Sequence, residues 1–399
     1  MQQCDICIVG NGAVGKAAAL GFAQAGHQVV LVGPSAAGPE LHAESAYDTR
    51  VFALNHPAHQ LLSQIKVWDA LDASRIAAVS GMAVAGDVAP DSAHLNFDAY
   101  GARVETLAWI VEDANLNQAL NAALKFAPNV RIIDAAATKL EVDAQSALLK
   151  LQNGEQIRCA LLIGADGRQS WVRGQADIDI AYRPYGQRAV VTNFHCELPH
   201  HGVAHQWFSP ELGIIALLPL PGERVSLVWS APDNLAEVLM RESLTQLAQR
   251  LFEFSKEKLG RLSPLQPEAV QAFPLALIRA KQIIAPRIAL IGDAAHVVHP
   301  LAGHGMNLGF ADVADLMRVL AAREKQRDAG DPVVLARYAR ARAEDILLMQ
   351  LATDGLQRVF ATDFEPLRLA RNLGMQLLDR VPFLKRRLIS HAMGSRSGS

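Results

Sequence analysis

The chain has 399 residues, too many for one small hydrophobic core and enough for two or three packed units. Half of the residues are apolar and a fifth are charged, and a formal net charge of −2 gives no overall reason to bind nucleic acid. No apolar run reaches the ~18 residues of a membrane span. The N-terminus, with Asp5 and no basic stretch, does not read as a signal peptide, so a cytoplasmic protein is expected.

Residues 4–10, CDICIVG, read as a buried strand. Its Cys4 and Cys7 form a C-x-x-C, but positions three apart on a strand point to opposite faces and no second such pair exists. Strand packing is therefore expected, not a metal or redox site. A glycine-rich turn follows, then AVGKAAALGFAQAG, a run of strong helix formers that ends at Gly26, and then a second apolar strand, HQVVLVG. This is a βαβ start, the unit that builds parallel sheets.

The turn reads two ways. Gly10-x-Gly12-x-x-Gly15 is a dinucleotide fingerprint, while Gly10-x-x-x-x-Gly15-Lys16-Ala17 is one residue short of a triphosphate-binding P-loop. The P-loop needs a hydroxyl after its lysine to ligate Mg²⁺, and Ala17 has none. Lys16 is then a helix residue facing the phosphates or solvent. In the fingerprint reading Gly10 permits the tight turn, Gly12 and Ala13 bring backbone to a pyrophosphate, and Gly15 lets the helix pack on the sheet. The acid that normally binds the ribose is missing: the second strand ends in Gly33-Pro34, so the ribose must use backbone or Ser35, and neither Glu40 nor Glu44 is assigned.

Further on, residues 106–127 read as a strand and a helix, 131–152 as strands, and ALLIGADG (160–167) as a buried strand ending in a glycine turn. Residues 180–232 change character to apolar strands separated by Pro and Gly, among them a hairpin in LPLPGERVSLVW, and 235–262 look helical. IALIGD (288–293) is again a buried strand with a glycine turn, NLGFADVADLMRVLAA begins a helix, and the chain is helical from 330. The expected architecture is α/β: a discontinuous Rossmann-like cofactor domain (1–80, 100–176 and 265–330), an inserted antiparallel β-sheet substrate domain (81–99 and 177–264), C-terminal helices (331–394) and a disordered tail (395–399).

The stretch ALIGDAAHVVHPLAGHGMNLGFADVADL (289–316) decides what the cofactor domain holds. The strand ends at Gly292-Asp293, placing Asp293 at the carboxyl edge of the sheet, where its carboxylate can accept hydrogen bonds from a polyol. The glycines after it let backbone approach a flat ring, and the helix opening near Met306-Asn307 supplies positive potential to a group that becomes anionic. A reduced flavin with its ribityl chain is such a group. His296, His299 and His304 read as loop and cap residues, because Pro300 and Gly303 break any helix that would align them on a metal. A second group, His195, His200, His201 and His205, reads as a turn between strands.

These three motifs, the fingerprint at 10–15, GADGRQSWVR at 164–173 and GDAAHVVHPLAGHGMNLGF at 292–310, resemble the single-component FAD-dependent aromatic hydroxylases of the para-hydroxybenzoate hydroxylase fold. With DTRVFALNHPAHQLL, IVEDANLNQAL, ALLPLPGERVSLVWS and RNLGMQLLDRVPFLKRRLISHAMG, the chain is more narrowly similar to the ubiquinone-biosynthesis hydroxylases of UbiH, UbiF and VisC type over nearly its whole length. The resemblance implies FAD as cofactor, held by Gly10, Gly12, Gly15, Arg50, Asp166 and Asp293, with Gly292 in the same turn and Pro300, Gly303, Gly305, Met306 and Asn307 along the isoalloxazine. It also links Asp166, with Arg173, to docking of the reductant.

The implied reaction uses NAD(P)H as a transient reductant and O₂, through a flavin C4a-hydroperoxide that hydroxylates an electron-rich ring, here a polyprenylated phenol of ubiquinone biosynthesis. No catalytic base is assigned and no metal is expected. Departures from the family pattern are His304 for a usual Gln, Ile214 for a usual Pro and Asp113 for a common Asn. The His304 and Ile214 departures motivate an alternative, an FAD-bearing scaffold of a biosynthetic complex with little turnover; a hydroxylase of a small soluble phenol is another, and a reductase of isoprenoid chains a lesser one. A flavin halogenase is rejected, since Trp68, Trp109, Trp171, Trp207 and Trp229 form no W-x-W. In the tail, Arg368, Arg371, Arg380, Lys385, Arg386 and Arg387 alternate with Leu373, Leu377, Leu378, Val381, Phe383, Leu384 and Leu388. That stripe reads either as packing on the cofactor domain, which is favoured, or as a peripheral membrane or partner helix.

Overall fold

The computed structural model describes residues 1–34, 47–86, 94–265, 269–299 and 304–360, with the side chains of 304 and 349–360 outside that description. The C-terminal basic and apolar stripe, Ser35, Glu40, Glu44, Pro300 and Gly303 therefore lie outside the described residues.

Strand Gln2–Val9 is the centre of the first sheet. Its Ile6 and Ile8 face one core, with helix Ala13–Gln24 and strand partners, while Cys7 and Val9 face another. Burial on both faces explains the unbroken apolar run. Strands Ile288–Leu290, Gln156–Gly164, Gln2–Val9, Val29–Val32 and Val130–Ile133 pair in that order, all parallel. The hairpin Ala137–Val142 and Ala147–Leu151 extends the sheet antiparallel against Gln156–Gly164. Helix His304–Ala321 packs on helix Ala13–Gln24 through Gly309, where a Cβ would come within 2.8 Å of Val14.

The second sheet has nine strands and is almost wholly antiparallel. Its long strand Ile180–Cys196 pairs with Arg224–Pro232, which continues through Gly213–Leu220 to Val203–Ser209. Gly81–Gly86 joins parallel to Val203–Ser209, and His94–Asp98 follows it. One face of this sheet, with Val190, Phe194, Leu217, Leu227 and Trp229, buries the amphipathic helix Leu244–Ser255. The opposite face turns toward a small three-stranded sheet, Val51–Leu54, Ala108–Glu112 and Ile76–Val79. Asn193 stitches that seam by donating from Nδ2 to the carbonyls of Tyr47 (3.3 Å) and Asp48 (2.9 Å).

Two expectations change. Strand Gln271–Ala280, placed by the sequence in the cofactor domain, pairs along Ile180–Cys196 in the second sheet, and His296–Val297 pairs with it in turn. Cys4 and Cys7 do not diverge: both pack into the same cluster with Cys159. There the amides of Asp5 and Ile6 both donate to the Gln28 carbonyl, an irregularity that breaks strict alternation. Helix Pro332–Phe360 closes the described chain, and no helix among the described residues is long and apolar enough to cross a membrane.

Candidate active site

The fingerprint turn is built by close approach. A Cβ on Gly10 would lie 2.2 Å from the Ala165 carbonyl oxygen, and one on Gly15 would lie 2.0 Å from the Gly10 carbonyl oxygen. The Gly10 φ of +125° also suits only glycine. Gly12 is different: it caps the helix N-terminus, and nothing lies within 4 Å of where its Cβ would stand. The helix thus opens its first-turn amides, beside the buried Ala13, onto free space. The Oδ1 of Asn11 is buried there without a hydrogen-bond partner among the described residues. An open cradle, a helix dipole and an unused polar atom fit a pyrophosphate.

The same geometry explains the missing acid. A Cβ on Gly33 would come within 3.0 Å of the Asn11 nitrogen, so the fingerprint turn packs where an acidic side chain would start. Lys16, expected near phosphates or solvent, is not turned to solvent. It is buried, bonds Asn117 Oδ1 at 2.9 Å, and has its pKa lowered by that burial.

The strand Ile288–Leu290 delivers the second part. Gly292 turns with φ +59° and donates its amide to Asp312 Oδ2 at 2.8 Å. Asp312 is fully buried and also binds His296 Nε2 (2.7 Å) and Arg342 Nε (2.7 Å). Arg342, itself buried, reaches on to Asp315 and Asp345. This ionic cluster holds the turn from behind, while the Asp293 side chain remains exposed. Desolvation raises the Asp293 carboxyl pKa, opposed by the charges of His296, Arg50 and Arg168. Arg50 is half-exposed, lies 3.5 Å from Asp113, and spans Phe52 and Phe273 at 5.3 and 6.0 Å. Its charge acts on both Asp113 and Asp293.

Asp166 is occupied locally. It accepts from Ser170 Oγ (2.5 Å) and the Val172 amide (2.9 Å), capping the short helix Trp171–Gln175. Arg173 is buried and donates to the carbonyls of Ala294 (2.8 Å) and Arg168 (3.0 Å), tying this turn to the Asp293 turn. Beside them lies an open cavity of about 500 Å³ lined by Arg168, Gln169, Arg173, Tyr182, Pro274 and Ile278, among others.

At the start of helix His304–Ala321, Gly305 has open space where a Cβ would be. Met306 packs against the cofactor-side core. The Asn307 side chain accepts from the Asn55 amide (3.0 Å) and donates to the Ala53 carbonyl (2.8 Å), so it staples the helix to the small sheet and leaves only its backbone for a ligand. His299 is buried, bonds Gln187 Oε1 at 3.1 Å, and burial pushes its imidazole down to about 4. His200 binds the carbonyls of Leu220 and Gly222 as a turn residue. The reading from sequence overlooked Asn11, Ser170, Asp312 and Arg342. For Asp312 a signal existed, since a carboxylate within the apolar face of a helix must find a buried partner.

A family model described as FAD binding domain matches residues 3–347. The chain is 36% identical over 396 residues to a ubiquinone hydroxylase, UbiL, of Rhodospirillum rubrum, covering 99% of this chain and 90% of that one. It is 35% identical over 395 residues to the 3-demethoxyubiquinol 3-hydroxylase of Escherichia coli, covering 98% and 99%. The chain belongs to the ubiquinone-biosynthesis hydroxylase family of FAD-dependent monooxygenases. The fold of this hydroxylase is shared by p-nitrophenol 4-monooxygenase PnpA from Pseudomonas putida, with a TM-score of 0.77 at 19% identity over the whole of both chains. Bound FAD supplies the oxygen-activating chemistry of the family. The residues of this hydroxylase offer an open glycine turn at a helix N-terminus whose shape fits a pyrophosphate, a fixed turn that carries Asp293, and the Arg50 cation beside Asp113.

Proposed function

We propose that the chain hydroxylates the aromatic ring of a polyprenylated phenol in ubiquinone biosynthesis, with NAD(P)H as reductant and O₂ as oxidant. One arrangement supports this reading most directly. The fingerprint helix and the Asp293 turn meet where a Gly292 Cβ would lie 3.3 Å from Val14, Arg50 lies 3.5 Å from Asp113, and the second sheet turns a largely apolar face toward the cofactor side. The near full-length similarity to a 3-demethoxyubiquinol hydroxylase supplies the substrate class.

In this reading Gly10, Gly12, Ala13 and Gly15 grip the FAD pyrophosphate, Asp293 binds the ribityl hydroxyls, and Arg50 steadies the flavin. Gly292 shapes the Asp293 turn, while Pro300, Gly303, Gly305 and the backbones of Met306 and Asn307 line the ring. Asp166 acts indirectly, by fixing the turn that carries Arg168 and Arg173. The cavity at those two arginines, with the exposed Tyr182, suits a nicotinamide dinucleotide, which brings phosphates and flat rings together. The domain boundaries expected from the sequence belong to the same proposal, with Gln271–Ala280 moved to the substrate sheet. Association with a membrane surface or a biosynthetic complex is a finer part of it, resting on the basic tail.

The test is purified protein supplied with NAD(P)H and a set of polyprenyl phenols. Phenol-stimulated oxidation of NAD(P)H with a hydroxylated product supports the reading. Oxidation that no polyprenyl phenol stimulates, without product, contradicts it.

A further inference from the structure

The inner face of the second sheet is not uniformly apolar. Strand alternation fixes which side chains look inward. His205 and Trp207 face the helix Leu244–Ser255, with the Trp207 and Phe254 rings 5.7 Å apart, so Ala204, Gln206 and Phe208 face the cofactor side. Register then places Gln206 in a row with Ala216, Val228 and Val191 on one side and Val84 on the other. Ala216, Val228 and Val84 in that row, and Leu218 beside it, are only half-buried although they lie on an inward face, so they border a recess.

Within that row Gln206 is the polar side chain. It is 9% exposed overall, no hydrogen bond of its amide is found among the described residues, and its amide atoms are not among the fully buried ones, so they stay reachable from the recess. An amide at the edge of an apolar face with no protein partner can donate to and accept from a ligand. Across the strip, on the same face, the Ser226 hydroxyl and Asn193 Oδ1 are buried without partners among the described residues. Val228, between the positions of Ser226 and Ser230, is two strands from Gln206, roughly 10 Å. A floor of Ala216 and Val228 with unpaired polar groups at its margins has the size and chemistry of a substituted aromatic ring.

We infer that Gln206 is the residue that reads an oxygen substituent on the ring of the substrate. Its amide N–H donates to a ring hydroxyl or alkoxy oxygen while Ala216 and Val228 form the apolar floor. This rests on the hydroxylase reading and adds to it the group that selects among rings at different stages of oxygenation. A site built around a hydrogen-bonding group discriminates strongly against the analogue that lacks its partner.

The experiment measures binding of two polyprenyl phenols, alike except for one ring hydroxyl or methoxy group, through the perturbation of the flavin absorbance. The wild type is expected to prefer the oxygenated ring by about tenfold or more. Gln206→Leu should cut that preference to about twofold or less, with flavin content unchanged. Gln206→Met, with a more flexible chain, serves if the branched leucine disturbs packing. A variant that keeps the full preference overturns the role of Gln206. A wild type whose flavin responds to no polyprenyl phenol overturns the hydroxylase reading itself, and the two failures are distinct.

Discussion

A side chain at Gly10 and one at Gly12 would meet opposite surroundings, although both are fingerprint glycines. Gly10→Ala drives a methyl into the Ala165 carbonyl at a positive φ, and should destabilise the fold by about 3 kcal/mol or more, read as a lower urea midpoint. Gly12→Val projects into the open cradle, so it should leave the urea midpoint nearly unchanged. It should weaken FAD affinity by about tenfold or more, measured by titrating the apoprotein. If Gly12→Val retains normal FAD affinity, the pyrophosphate is not held there. The motif letters made both glycines and Asp293 legible in the sequence. They did not say whether a side chain or a backbone acts: Asp166 caps a helix, Asn307 staples one, and Lys16 is turned into the interior. Those outcomes depend on partners over a hundred residues distant in two of the three cases, which spacing does not reveal.

At the scale of elements, the buried cluster of Asp312, Arg342 and His296 joins the last two described helices to the Gly292 turn. Removing one partner strands the others without solvent. Arg342→Met should therefore cost about 3–5 kcal/mol, read by chemical denaturation. Asp312→Asn should in addition lower flavin content, because the Gly292 amide loses its charged acceptor and the Asp293 turn loosens. Full flavin retention in Asp312→Asn would show that the turn holds itself. The βαβ unit behind this cluster was legible because its strands are apolar throughout and its helix is rich in alanine. Gln271–Ala280 was not, because an inserted sheet is finished by a strand that returns from much later in the chain, and nothing local announces its partner. The C-x-x-C likewise reads as ordinary alternation until the shared Gln28 carbonyl is seen.

Among the described residues burial lowers four histidines, His27, His59, His205 and His299, and the last two, at the second sheet, carry the larger shifts. Both His205 and His299 are pushed from the ordinary 6.5 down to about 4. The unfolded chain takes up protons below about pH 6.5, whereas the native protein does so only near pH 4. Native stability present at neutral pH is therefore lost as pH falls from 6.5 toward 4 and levels off below that. At pH 5 the loss is about 2 kcal/mol per histidine. Melting temperature measured from pH 7.5 to 5 should fall, and His205→Gln with His299→Gln should flatten the fall. An unchanged slope in the double variant would assign it elsewhere.

The seam between the sheets is also a property of the whole, joining Asn193 to Tyr47 and Asp48, and Arg224 to the Tyr47 ring. The buried Arg75–Glu112 pair lies on the small sheet's side of it, where Glu112 accepts the Asp48 amide. Through Asp48, whose Oδ1 accepts the Arg50 amide, it sets where Arg50 stands. None of this long-range wiring was visible in the sequence, which showed the DTR triplet alone.

The central claim, an FAD-dependent ring hydroxylation, is tested most directly by running the purified holoprotein with NAD(P)H and a polyprenyl phenol under ¹⁸O₂. The account predicts one labelled oxygen atom per molecule of hydroxylated product, at about one NAD(P)H consumed per product. Product carrying oxygen from water, or NAD(P)H consumed with every phenol left unaltered, would contradict it.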